Sequence, residues 1–345
     1  MIRIFRHHRI MLLACLLILA TASGCGNTDI RESDSADVVE TTSDSMSEAI
    51  FSSSGMTAAQ SESSAEYDPG FDFETHTVTL NDGEEMPILG IGTYHLSGEE
   101  AENSVYWALR DGYRLIDTAE IYGNEEGVGR GIQRAIDDGY VTRDEIFVTT
   151  KLWTDYYDDA DQAINDSLER LGLEYIDLMI LHHSQPSNDV EAYQALENAV
   201  SDGRLKNIGL SNYYTPEDFD RLVSQVTIMP AVLQNETHLY HQSTEMKNHI
   251  AQYGTVMESW FPLGGRGNTQ ELFNNETVVD IASAHDKTSP QIILRWQLQS
   301  GNIAIPGSGN EDHIAEDFDI FDFELSADEM DRLNALDKDE RFADY

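Results

Sequence analysis

Cysteine is almost absent from this chain of 345 residues. It occurs twice, as Cys15 and Cys25, so disulfides and thiol catalysis are excluded for everything that follows residue 25. Cations are also scarce, with 21 lysines and arginines against 63 acidic residues and a formal net charge of -42. Because like charges repel, this balance argues against nucleic acid and against acidic lipid headgroups as partners.

The amino terminus carries the features of an export signal. Basic residues precede the apolar run IMLLACLLILA, which is too short to cross a bilayer as a mature helix. The small residues TASG then lead to Cys25, a pattern that resembles the lipobox of bacterial lipoproteins, although Ala22 stands where leucine is commoner. We expect residues 1–25 to be a lipoprotein signal peptide and Cys25 to be lipidated. An ordinary cleaved signal and an uncleaved anchor are the alternatives.

Residues 26–75 are rich in Ser, Asp and Glu, with Arg31 as the only cation and few large apolar side chains. Such a segment cannot bury enough surface to offset its chain entropy, so it is predicted to be a disordered, self-repelling tether. We therefore expect one folded domain at residues 76–345. The protein would be anchored to the cell membrane on its extracytoplasmic side through the lipid alone.

The predicted domain alternates short apolar runs with helical patterns. TVTLNDGEEMPIL is typical of a hairpin, because Asp82 and Gly83 suit a tight turn between two β-prone runs. Eight further runs predict strands: LGIGTY, RLIDTA, EIFVTTKLW, YIDLMILHH, LKNIGLSN, AVLQNE, GTVMESWFP and NIAIPGS. The first four intervening helices are predicted at residues 99–110, 125–138, 161–171 and 190–201. This alternation favours an α/β fold, a (β/α)8 TIM barrel with an N-terminal hairpin, over an open doubly wound sheet.

No glycine-rich dinucleotide fingerprint follows the first predicted strand. GNEEGVGRG contains glycines, but it follows the second strand and lacks the G-x-G-x-x-G spacing, so we interpret it as a turn that leads into a helix.

Chemistry in a barrel of this kind occurs where strands end and loops begin. Proton-bearing side chains occupy the ends of the second, third and fourth strands: Asp117, Tyr122, Lys151 and His182. Each alone is compatible with a structural role, as a loop cap, a packed ring, a surface cation or a core histidine. Together, at consecutive strand ends, they favour a catalytic site.

Six motifs resemble those of the aldo-keto reductase family of the prokaryotic type. They are RLIDTAEIYGNEEGVG, VTTKLW, YIDLMILH, IGLSNY, PAVLQNETHLY and IPGSGNEDHIAE, in family order within residues 77–338. The resemblance implies a barrel that holds a nicotinamide cofactor across its strand ends. It also implies reduction of aldehydes or ketones to alcohols.

Carbonyl reduction needs a proton for the alkoxide, and Tyr122 is the candidate acid. A free phenol has a pKa of about 10, and a buried cation beside it lowers that pKa, which is the role expected of Lys151. Asp117 should pair with Lys151, because an unpaired buried ammonium is costly. His182 should donate a hydrogen bond to the carbonyl oxygen. Adjacent strand positions face opposite ways, so His183 is expected to face away from His182.

The resemblance also assigns residues to the cofactor: Ser211, Asn212, Gln234, Trp260, Pro262, Leu263, Ser308, His313 and Glu316. The first three would bind the nicotinamide carboxamide, and Trp260 would stack on the ring. The substrate mouth would be lined by Tyr94, Trp153 and His183.

One departure from the family pattern concerns the choice of cofactor. The family commonly carries a Lys and, six residues later, an Arg that hold the 2′-phosphate of NADPH, whereas Gly307 and His313 stand at those places here. A charge-assisted hydrogen bond contributes about 1.5 to 3 kcal/mol. We therefore expect NADPH to bind, but with weak discrimination against NADH.

Two rival functions are open at this point. The histidines His182, His183, His238 and His241 would suit a metal-dependent hydrolase, but such barrels usually carry His-x-His on an early strand, where this chain has only His95. The other rival is a surface-anchored barrel that binds nicotinamide without turnover, because an exported protein meets little NADPH. We expect a small carbonyl substrate, no metal and a monomer.

Overall fold

A computed structural model describes residues 69–343. The predicted signal peptide, Cys25 and most of the predicted tether lie outside the described residues. Within the described part, no helix combines the length and the apolar character that a membrane crossing requires. The last residues assigned to the tether contact the barrel: Phe71 and Phe73 pack against its core, and Asp72 forms a β-bridge with Thr77.

Eight parallel strands form a nearly closed barrel behind an antiparallel hairpin, which confirms the predicted fold. The hairpin strands are β1 (Thr77–Thr79) and β2 (Glu85–Pro87). The barrel strands are β3 (Gly90–Gly92), β4 (Leu115–Asp117), β5 (Phe147–Leu152), β6 (Ile176–Leu181), β7 (Leu205–Ser211), β8 (Val232–Glu236), β9 (Val256–Trp260) and β10 (Asn302–Ala304). Each pairs with the next in the chain, and a bridge from Leu89 to Ala304 joins the first strand to the last.

Helices separate the strands. They are α1 (Gly98–Asp111), α2 (Glu125–Asp137), α3 (Ala160–Leu171), α4 (Asp189–Asp202), α5 (Pro216–Val223), α6 (Thr244–Ala251), α7 (Thr269–Phe273), α8 (Glu276–His285), α9 (Ser289–Gln299), α10 (Glu311–Phe318) and α11 (Ala327–Asn334). Helix α1 begins at a capping box between Ser97 and Glu100 and ends at Gly112, whose φ of 115° favours glycine. The first four predicted helices agree with α1 to α4 within one residue at each end.

The strands are buried on both faces, as a parallel sheet under helices requires. Every residue of β5 and β6 is buried. Most of these side chains are apolar, but some interior positions towards the carboxyl ends are polar and equally buried: Asp117, Lys151, Gln234 and Glu258. Buried polar groups need partners. These four side chains and their hydrogen-bond partners form the floor of the site.

Candidate active site

The four candidate catalytic residues meet at one cleft of about 760 Å³ at the carboxyl ends of the strands. Asp117 ends β4, and Tyr122 lies in the short 3-10 turn Glu120–Tyr122 that follows. His182 comes directly after β6. These three line the cleft, whereas Lys151, the penultimate residue of β5, lies buried beside Asp117 and Tyr122. The geometry thus brings the predicted set together.

Lys151 connects Asp117 to Tyr122. Its Nζ donates to Asp117 Oδ1 at 2.6 Å and to the Thr118 carbonyl at 2.9 Å, and it lies 3.4 Å from Tyr122 Oη. The side chains of Lys151 and Asp117 are only 1% and 3% exposed. Burial opposes the charged ammonium, but the attraction of Asp117 outweighs it and raises the pKa of Lys151 above its usual value. A permanent cation therefore lies against the phenol at neutral pH.

His182 completes the group as a neutral ring. It lies edge-on to Tyr122, with centroids 5.8 Å apart, and edge-on to Trp153, with centroids 5.0 Å apart. Burial, together with the charge of Lys151 and the neighbouring His183, lowers the pKa of His182 well below its usual value. A neutral imidazole carries one N–H donor, which suits a hydrogen bond to a carbonyl oxygen.

The expectation that His182 and His183 face opposite ways is wrong. Their rings stack at an interplanar angle of 13°, with centroids 5.3 Å apart, and both line the cleft. Strand β6 ends at Leu181, so the alternation of a strand does not apply to the two residues beyond it. His183 thus lies on the cleft wall with Trp153 and Tyr94, where the substrate mouth was predicted.

The predicted carboxamide ligands lie on neighbouring strands. Ser211 ends β7 and is in register with Gln234 of β8, and Asn212 follows with a left-handed φ of 60°, which asparagine tolerates. Asn212 donates from Nδ2 to the His182 carbonyl at 2.9 Å and accepts at Oδ1 from Tyr214 Oη at 2.8 Å. The half-buried Trp260 at the end of β9 completes this wall.

These residues fit a nicotinamide cofactor. A hydroxyl, two amides and an indole line one continuous cleft, which suits a planar ring with a carboxamide. The cleft extends past Pro262 and Leu263 to Gly307 and Ser308. A Cβ on Gly307 would lie 2.9 Å from the Gly92 carbonyl oxygen, so this end depends on a close approach of two backbones. His313 and Glu316 lie on α10 and do not line the cleft.

Arg266 also lines the cleft, although no sequence motif predicted it there. It lies in the glycine-rich loop after β9 and donates from Nη2 to the His95 carbonyl at 3.3 Å. Of the described residues that line the cleft, it is the single lysine or arginine. An arginine between two glycines, Gly265 and Gly267, in a chain so poor in cations was the available signal for a cation at the site.

The histidines proposed for a metal centre lie in two separate places. Whereas His182 and His183 line the cleft, His238 and His241 do not. His238 bonds the buried Glu236 at 3.0 Å and stacks on Phe342. Within residues 69–343, no group of three or more His, Cys, Asp or Glu side chains is arranged to hold a metal ion.

Known proteins resemble this chain over most of its length. The profile of the Aldo/keto reductase family matches residues 88–338. Glyoxal reductase of Bacillus subtilis is 41% identical over 268 residues, which covers 77% of this chain and 94% of that protein. Methylglyoxal reductase DkgA of Escherichia coli is 38% identical over 268 residues, covering 76% and 94%. A solved Bombyx mori aldo-keto reductase in complex with NADP has a TM-score of 0.73 at 36% identity, over 78% of this chain and 94% of that one.

Proposed function

The chain belongs to the aldo-keto reductase family and reduces aldehydes or ketones with a nicotinamide cofactor, and from that premise we propose how its own residues carry out the reaction. Tyr122 donates the proton to the carbonyl oxygen. Lys151, held by Asp117, stabilises the phenolate that remains, and His182 orients the carbonyl through a hydrogen bond. The bound nicotinamide supplies the hydride.

The observation that carries this assignment is the contact of Lys151 with both Asp117 and Tyr122 on the cleft floor. A charge buried this deeply destabilises the fold unless it is paired. A phenol beside it gives the charge a catalytic role, because the ammonium stabilises the phenolate. We expect the protein to oxidise NADPH in the presence of a small aldehyde. Tyr122→Phe should abolish this turnover and leave cofactor binding, followed by tryptophan fluorescence, within about threefold. Cofactor binding with no turnover on a broad carbonyl panel would favour the non-catalytic alternative.

Small dicarbonyls are the substrates that we propose. Two relatives are named for reduction of glyoxal and methylglyoxal. The aromatic wall of Tyr94, Trp153 and His183 would pack against a small flat carbonyl compound. The kcat/KM for methylglyoxal should exceed that for a bulky aromatic aldehyde by more than about tenfold. A higher kcat/KM for the aromatic aldehyde would contradict the proposal.

For the cofactor, we propose weak discrimination between NADPH and NADH. Gly307 carries no side chain, and His313 lies exposed on α10 outside the cleft lining, so neither residue offers the cleft a fixed cation for a 2′-phosphate. Dissociation constants for the two cofactors should differ by less than about a hundredfold. A larger preference for NADPH would show that another cation, such as Arg266, recognises the phosphate.

We propose that the barrel is attached to the outer face of the cell membrane through a lipid on Cys25. The support is the sequence pattern before Cys25 and the acidic linker that follows it. Fractionation of cells that express the full chain should place it with the membranes. Cys25→Ser should release the protein from the membranes or block its maturation. If both the wild-type protein and the variant were found in the soluble fraction, the anchor would be contradicted.

A further inference from the structure

A second buried carboxyl group is connected to the candidate catalytic residues. Glu258 of β9 is fully buried and does not line the cleft, and its Oε2 accepts from Gln234 Nε2 at 2.7 Å. The same amide nitrogen donates to Asp117 Oδ2 at 2.9 Å. Asp117 is in turn the partner of Lys151. One amide group therefore joins the candidate catalytic ion pair to a carboxyl that none of the roles assigned above uses.

The surroundings of Glu258 favour its neutral form. The charged groups that act on it are Asp117 from β4 and Lys151 from β5, and Gln234 from β8 faces it as an amide. Within residues 69–343, its Oε1 has no hydrogen-bond partner, which is costly for a buried carboxylate. Burial raises the pKa of Glu258 to about 8, and the negative charge of Asp117 adds to the effect.

We propose that Glu258 is a positioning residue of the reductase site, whose neutral carboxyl holds the Gln234 amide against Asp117 and whose ionisation switches the site off. This inference rests on the proposed function, because it deepens the roles of Asp117, Lys151 and Gln234. Both hydrogens of the Gln234 amide are donated to Asp117 and Glu258, so its carbonyl oxygen is the atom that can bind a ligand in the cleft.

Ionisation of Glu258 would have two consequences. A second negative charge would oppose the field of Lys151 at Tyr122 Oη, so the phenolate that forms on proton transfer would lose support. An ionised Glu258 would also accept a stronger hydrogen bond from Gln234 Nε2 and would repel Asp117 across the shared amide, so the amide would be drawn away from Asp117. Reduction should therefore fall as the pH rises through the titration of Glu258, and cofactor binding should weaken with it.

The decisive variant is Glu258→Gln, which keeps the shape of the neutral acid and cannot ionise. Between pH 7 and pH 9 we expect kcat/KM of the wild-type enzyme to fall about tenfold, and that of the variant to fall less than about threefold. At pH 7 the variant should keep kcat within about threefold of wild type. Identical alkaline limbs in the two proteins would overturn the proposal. If Glu258→Gln folds poorly, Glu258→Ala must still shift the limb in the same direction.

Infrared spectroscopy of the cofactor-free protein gives a readout that does not depend on turnover. The absorbance of protonated carboxyls should fall between pH 7 and pH 9 in wild type, and the part of that fall that belongs to Glu258 should be missing in Glu258→Gln. Asp317, a second buried carboxyl whose pKa burial raises to about 7, supplies the spectral control, because Asp317→Asn should leave the Glu258 band in place. If no carbonyl is reduced at any pH, the proposed function fails, yet the band still tests Glu258. A band unchanged by Glu258→Gln would overturn the proposal even in an active enzyme.

Discussion

Two buried aspartates in this barrel, Asp117 and Asp177, have very different partners. Asp117 pairs with Lys151, which is itself only 1% exposed, beside the cleft. Asp177, near the start of β6, accepts from Arg143 at 2.6 Å and from the Val148 amide at 3.0 Å, and it lies 3.3 Å from Lys206. The side chains of Arg143 and Lys206 are 21% and 36% exposed.

From this difference we infer a different role for each pair. Cations that reach solvent keep much of their hydration, so the Asp177 group can stabilise the fold. A fully buried lysine loses its hydration, so a neutral pair of the same size would give the fold the same stability. Changes at the carboxyl ends of the strands should therefore alter kinetics, and changes at the amino ends should alter stability.

The largest effect is expected from the double variant Asp117→Asn with Lys151→Met. It removes both buried charges together, so kcat should fall about a thousandfold while the free energy of unfolding changes by less than about 1 kcal/mol. Stopped-flow kinetics and urea denaturation measure the two quantities. The single variant Lys151→Met is the control, because it leaves Asp117 without its cation and should lose about 3 kcal/mol of stability. A double variant as unstable as the single one would contradict the comparison.

The reverse pattern is expected at the amino end. Asp177→Asn removes the negative charge that faces two cations and weakens the hydrogen bond from the Val148 amide, so it should lower the free energy of unfolding by about 2 kcal/mol. Steady-state kinetics should change less than twofold at a temperature where the variant is folded. A tenfold loss of kcat in the folded variant would mean that the two ends of the barrel are coupled.

The sequence predicted the positions of the candidate catalytic residues better than the contacts that hold them. Parallel strands bring their ends to one rim, so Asp117, Tyr122 and His182 could be placed together from strand order alone. Glu258 lies two positions before Trp260 and therefore shares its face, which the alternation of a strand also predicts. Its proximity to Asp117, five strands earlier in the sheet order, depends on closure of the barrel. For His183 the alternation failed because the strand had already ended.

A smaller effect at the carboxyl end should come from Tyr214→Phe. The Tyr214 hydroxyl donates to Asn212 Oδ1, and loss of one such bond is worth about 1 kcal/mol, so cofactor affinity should fall about fivefold. The neighbouring Tyr213 provides a matched control, because its hydroxyl donates to the buried Asp189 at 2.9 Å and does not reach the cleft. Tyr213→Phe should lower stability and leave cofactor affinity unchanged. Cofactor affinity is measured by fluorescence titration. Equal losses in both variants would contradict the role of the Tyr214 hydroxyl in cofactor binding.

An equally small effect, on substrate preference, separates the two stacked histidines that follow β6. His183 packs edge-on against Trp153, with centroids 5.0 Å apart, and is more exposed than His182. His183→Ala should widen the mouth and shift the kcat/KM ratio of a bulky over a small aldehyde by about fivefold, because one pocket contact contributes about 1 kcal/mol. His182→Ala should instead lower kcat for both aldehydes by at least about a hundredfold. If the two variants lost turnover equally, the stacked rings would act as one unit, and the division between an orienting group and a pocket wall would fail.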